Sequence, residues 1–148
     1  MPSEPSVSRL QAIVLRHAPR GYGRIERPVR GVERPDGLVT VAYVDTEKRE
    51  IVHEPVVDRE TLCMFLHECG HVYFHHRDEN KVPPYEEEYE AEVYAWKALR
   101  AEGLSVPKKR MEDARDYVRS CLPKDGDNSE VPARVLQFVF GREWRKHR

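Results

Sequence analysis

The sequence predicts an α+β fold: a small β-hairpin sheet packed on a helical bundle. Three observations lead there. β-branched and aromatic residues concentrate in two short neighbouring stretches, Leu38–Val44 and Glu50–His53. Longer stretches on both sides repeat apolar residues at helical spacing. Proline and glycine fall at the joints between them. The 148 residues suit a single domain, with residues 38–100 as its centre and a basic tail at 142–148.

The first helix is expected from Ser6, as N-cap, to Ala18, with Leu10, Ile13 and Val14 on one side and Pro19 and Gly21 as the stop. Residues 19–36, dense in proline, glycine and arginine, read as loop and short extended pieces. The two β-rich stretches follow, joined by the polar turn Asp45–Arg49. Asp58 is a good N-cap for a helix from Arg59 to about His76, and Glu60 in its first turn complements the helix dipole. A second long helix runs from Tyr85 to Glu102, with Gly103 as its stop. Pro107 opens a third, to about Leu122, with Met111, Ala114, Val118 and Cys121 on one stripe. Ser129 is expected to cap a last helix ending near Gly141. The tail Arg142–Arg148 then reads as a solvated, frayed end.

Composition narrows the function. A formal net charge of -1 gives no overall field toward nucleic acid or lipid. No apolar run approaches the roughly 18 residues that span a bilayer. Met1–Ser6 lacks the charged and apolar regions of a leader. Three cysteines (Cys63, Cys69 and Cys121) without a short-spaced pair suit a reducing compartment, so a cytoplasmic location is expected, and they exclude a cysteine-rich zinc ribbon.

The chemistry concentrates in His67-Glu68-Cys69-Gly70-His71. Two histidines four residues apart on a helix project from one face, one turn apart. Both imidazoles can then reach one tetrahedral ion, and the intervening glutamate stands beside it. The pattern is short, and the bland alternative is two histidines on a polar helix face. Helix geometry argues against that alternative. Met64, His67, Glu68, His71 and His75 share one side, whereas Leu62, Phe65, Cys69, Val72 and Tyr73 form the core stripe. Cys69 is therefore expected to be a small buried residue, not a ligand. A catalytic zinc usually takes a third protein ligand. Glu87 and Glu88 project near the apolar stripe Ala91, Tyr94, Ala95, Ala98 and Leu99, where an unpaired carboxylate is costly, whereas Glu86 points away. A first turn rich in acids also suits the helix dipole without any metal.

His67-Glu68-Cys69-Gly70-His71-Val72-Tyr73-Phe74-His75 resembles the His-Glu-x-Gly-His-x-x-x-His segment of the ImmA/IrrE metallopeptidases, and Glu88-Tyr89-Glu90-Ala91-Glu92-Val93-Tyr94-Ala95 resembles their downstream Glu-x-x-Ala-Asn-x-Phe-Ala segment. The resemblance covers about residues 38–100. It implies a minimal zincin-like core holding one zinc ion, with Glu88 as the third ligand. Glu92 departs from the family's usual asparagine, and a hydrogen bond to a ligand histidine is expected of it.

These residues predict a zinc-dependent endopeptidase. His67, His71 and Glu88 hold zinc, which brings the pKa of a bound water toward neutrality. Glu68 takes the water's proton and passes it to the leaving amine. The donor for the developing oxyanion stays open among Tyr94, Tyr117, His75 and Arg110, and His75 reads more simply as a solvated helix end. His76 and Arg77 suit the helix dipole, and His17, His53 and His147 have no partner pattern. The substrate chain is expected to add to an exposed edge of the 38–53 hairpin. The resemblance implies a specific protein substrate such as a transcriptional repressor. Two other functions compete. One is a zinc-stabilised protein-interaction module without turnover. The other is a nucleic-acid-binding regulator using the basic tail and the arginines of residues 20–34.

Overall fold

The computed structural model describes residues 3–27, 32–33, 39–40, 42–76 and 81–148. Leu38 and Val41 of the expected first strand, Arg30 and Arg34 of the preceding loop, and Arg77 lie outside them.

Helix α1 spans Val7–His17, and Ser6 Oγ caps it by accepting the Arg9 N–H at 3.2 Å. The chain then enters β1, Gly23–Glu26, within the segment expected to be loop and short extended pieces. Strands β2 (Val32–Glu33) and β3 (Val39–Thr40) pair antiparallel with each other, apart from the main sheet. Strands β4 (Ala42–Asp45) and β5 (Glu50–His53) form the expected hairpin. β1 adds to β5 in parallel, from Gly23↔Glu50 to Glu26↔His53, so the three-stranded sheet has the order β1-β5-β4. β5 is therefore central, and among the described residues the hairpin's unpaired edge belongs to β4.

Four helices follow: α2 (Arg59–Tyr73), α3 (Pro84–Ala101), α4 (Lys108–Ser120) and α5 (Ala133–Phe140). The molecule is thus α+β, with five α-helices and a small mixed sheet among the described residues. α5 starts four residues later than its expected cap, Ser129. Pro132 disfavours helical backbone at Val131, and the Ser129 N–H instead donates to Asp127. Beyond α5 the basic tail folds into a 3-10 helix, Gly141–His147, rather than fraying. His147 stacks on Phe140 and the His147 carbonyl accepts from Asn128 Nδ2 at 2.6 Å. Among the described residues no helix is long and apolar enough to cross a membrane.

The main core joins Leu10, Ile13 and Val14 of α1, Val44 and Ile51 of the sheet, Leu62, Phe65, Leu66 and Cys69 of α2, and Ala95 and Leu99 of α3. A second cluster brings Tyr85 together with Val118, Leu122, Val131, Val135 and Leu136. Glu102, just past the end of α3, ties α1 to it. Arg9 Nη2 donates to its carbonyl at 2.8 Å, and Arg16 pairs with its carboxylate at 2.6 Å. Tyr73, expected in the core, is 45% exposed; as the last residue of α2 it extends past the helix and its hydroxyl donates to the His17 carbonyl.

The decisive contact lies where α2 crosses α3. A β-carbon on Gly70 would stand 2.9 Å from Ala91 Cα and 3.0 Å from the Ala91 carbonyl oxygen. Only glycine admits that approach. Gly70→Ala is expected to lower stability by about 1–3 kcal/mol in urea unfolding. A compensating Ala91→Gly change should not restore it, because the nearest obstructing atoms are backbone.

Candidate metal centre

The site rests on the register of α2. Its first turn is held by a reciprocal cap: Asp58 Oδ1 accepts the Thr61 N–H at 2.8 Å, and Thr61 Oγ1 accepts the Asp58 N–H at 3.1 Å. The sequence indicates Asp58; Thr61 occupies a place where glutamate or glutamine is the usual signal.

From that register His67 and His71 point at each other and at α3. Their Nε2 atoms are 3.1 Å apart. Glu88 Oε2 lies 2.8 Å from His67 Nε2 and 3.3 Å from His71 Nε2. His67, His71 and Glu88 are all buried, and Glu68 is half-buried beside them. His67, Glu68 and His71 place donor atoms within 4.8 Å of one another and could hold a metal ion. Of the other acids of the α3 first turn, Glu86 pairs with Arg134, and Glu87 is half-buried.

Behind His67 stands Glu92, 1% exposed. Its carboxylate accepts from His67 Nδ1 at 2.6 Å, Trp96 Nε1 at 2.7 Å, and Arg110 Nε and Nη2 at 2.9 and 2.7 Å. Glu92 thus bonds His67, the first histidine of the cluster, through Nδ1. Arg110 does not stand as a free oxyanion donor; its guanidinium is committed to Glu92.

Behind His71 stands His76, with Nδ1 atoms 2.9 Å apart. His76 Nε2 is 3.3 Å from Glu90 Oε2. The helix ends earlier than its spacing predicts. α2 ends at Tyr73, three residues short of His76, in a Schellman turn. The His76 N–H donates to the His71 carbonyl and the His75 N–H to the Val72 carbonyl. His75 takes a left-handed φ of 55°, which costs a residue with a β-carbon roughly 1–2 kcal/mol. The turn exposes His75 and buries His76 at 2% exposure. Tyr94 also points elsewhere, its hydroxyl 3.3 Å from His17 Nδ1. Tyr117 lies half-buried on α4, and Cys69 is fully buried in the core as expected. His53 packs on Phe65 and its Nδ1 faces the Glu54 carbonyl at 2.8 Å, a core role.

The electrostatics follow from burial and pairing. Burial disfavours the charged form of His67, but the hydrogen bonds to Glu88 and Glu92 outweigh it and raise its pKa to about 10. Burial likewise opposes ionisation of Glu92, yet His67 and Arg110 hold it at about 2. Glu88 is held below the usual carboxylate range against its own burial, by His67 and His71. His76 moves the other way: burial lowers it, more than the bond to Glu90 raises it. Burial pushes the Cys63 and Cys69 thiols up, the inert direction.

Compared with family models, curated proteins and solved structures, the chain matches none of them.

Two outcomes are expected of the metal-free protein. His67, raised above its ordinary 6.5, stabilises fully below that pH and loses the contribution as pH rises through about 10. Glu92, lowered from 4.5, stabilises fully above that pH and loses the contribution as pH falls through about 2. Melting temperatures of chelator-treated protein should therefore decline as pH rises from 6.5 toward 10 and as it falls from 4.5 toward 2. In addition, Arg110→Met leaves the buried Glu92 carboxylate without its two-pronged partner and should cost about 3–5 kcal/mol in urea unfolding.

Proposed function

We propose that the chain is a zinc-dependent endopeptidase with a minimal zincin-like core, in which His67, His71 and Glu88 hold zinc and Glu68 carries the proton. The observation that carries this reading is the triangle of donor atoms contributed by two crossing helices. Its edges are 2.8, 3.1 and 3.3 Å. A tetrahedral ion with zinc–nitrogen bonds of 2.0–2.1 Å separates its donors by roughly 3.3 Å. Two imidazoles and one carboxylate are also a donor set that zinc uses in hydrolytic sites. Glu92 supports the reading from behind, since ligand histidines commonly give their second N–H to a carboxylate. The two sequence motifs that resemble the ImmA/IrrE metallopeptidases contribute these same four residues, His67, Glu68, His71 and Glu88.

Bound there, zinc supplies Lewis acidity, which acidifies water and polarises a scissile carbonyl. The chain's own residues do the rest. Glu68 is half-buried and takes no hydrogen bond from another described residue, so its carboxylate oxygens are available to accept the proton of an attacking water. The same oxygen then donates it to the leaving amine nitrogen. The unpaired edge of β4 offers backbone groups to which an extended substrate can add as a further strand. The resemblance points to a specific protein substrate such as a repressor.

The competing reading is a closed site that stabilises the chain without turnover, with Glu68 as a fourth ligand. Glu68→Gln separates the two. On the peptidase reading, metal analysis finds one zinc per chain in wild type and in Glu68→Gln, and none in His67→Ala. Wild type then cleaves members of a proteome-derived protein library, and Glu68→Gln cleaves none. Loss of zinc from Glu68→Gln would favour the closed site. Absence of zinc from wild type would sink both.

A further inference from the structure

His67 and His71 hold equivalent places on α2 but face different partners. His67 turns Nδ1 toward a carboxylate, Glu92, 2.6 Å away. His71 turns Nδ1 toward another imidazole, His76 Nδ1, at 2.9 Å. One of those two nitrogens must carry the hydrogen. A histidine that binds an ion through Nε2 keeps its hydrogen on Nδ1. His76 Nδ1 is then the acceptor, and His76 carries its own hydrogen on Nε2. That nitrogen lies 3.3 Å from Glu90 Oε2, which can accept it. The two constraints select the same tautomer of His76, and each hydrogen along His71, His76 and Glu90 meets an acceptor.

We propose that His76 and Glu90 are positioning residues for His71, orienting its ring and fixing its hydrogen on Nδ1 through a histidine-to-histidine hydrogen bond. The proposal rests on reading His71 as a zinc ligand. It accounts for observations that packing alone does not explain. The His76 side chain is fully buried, at 0% exposure, although an imidazole is costly to bury without partners for its nitrogens. The residue before it adopts a left-handed backbone, φ 55°, which returns the chain from the end of α2 onto His71. Phe74 lies parallel to the His76 ring, centroids 5.6 Å apart at 12°, and fixes its plane. Glu90 comes from α3, two residues from Glu88, so the brace behind His71 and the carboxylate in front of it share one helix.

The test uses the full chain and zinc itself, titrated against a chromophoric chelator at neutral pH. Wild type is compared with His76→Phe, which keeps a ring beside Phe74 but has no nitrogen, and with His76→Asn, which restores an acceptor near the Nδ1 position. His76→Phe should bind zinc about 10–100-fold more weakly. His76→Asn should recover most of that loss. In zinc-loaded wild type, NMR should show a scalar coupling between His71 Nδ1 and His76 Nδ1 across the hydrogen bond. Wild-type affinity in His76→Phe overturns the proposal and leaves the zinc reading standing. So does equal loss in the two variants, which marks a packing role. Absence of the coupling does the same, and decides the matter if His76→Phe fails to fold. A wild-type chain that binds no zinc removes the zinc reading and the proposal together.

Discussion

The close approach of α2 to α3 at Gly70 and Ala91 is the constraint on which the site depends. Counted from Gly70, His67 lies three residues before and His71 one after. Counted from Ala91, Glu88 and Glu92 stand in the same two places. These offsets put each pair on the face its helix turns to the other. With no side chain at Gly70, the two backbones come near enough for a carboxylate oxygen to lie 2.8 Å from an imidazole nitrogen. A methyl group there would hold the helices apart, and the donor triangle would open.

That closeness concentrates charge where water is scarce. Glu88 and Glu92 are both buried, and ions removed from water are costly unless every one is paired. Glu92 meets the requirement with His67, Trp96 and Arg110, drawing donors from α2, α3 and α4 onto one carboxylate. Such a network adds little stability compared with apolar packing of equal volume, while breaking it is expensive. Its value lies in orientation. His67 is held by a charged, rigid group, so its other nitrogen has one direction in which to point.

Both ends of α2 serve the same purpose by different means. At the start, the Asp58–Thr61 cap fixes where the helix begins and hence which face carries His67 and His71. At the end, just past the C-cap Phe74, the left-handed His75 closes off the helix and folds His76 back beneath His71. The sheet adds a third restraint through the core. Val44 and Ile51 pack with Phe65 and Leu66 of α2, which hold the helix's apolar side while its histidine side faces α3.

The sequence by itself determined what is written in local spacing. The caps at Ser6 and Asp58, the stop at Gly103, the β4–β5 hairpin, the burial of Cys69 and the shared face of His67, Glu68 and His71 all follow from residues within about one turn or one strand of each other. The apolar stripe of α3 narrows the inward carboxylate to Glu87 or Glu88. What lay beyond local spacing came only with the tertiary structure. The parallel addition of β1 to β5 joins segments separated by a long connection and leaves no periodic signal. Arg110 reaches Glu92 from a different helix, so nothing near either residue announces the pairing. His75 and His76 are neighbours with the same side chain, and spacing along an ideal helix favours His75 for the inward face. The helix ends before either of them, and a single left-handed residue decides which of the two is buried.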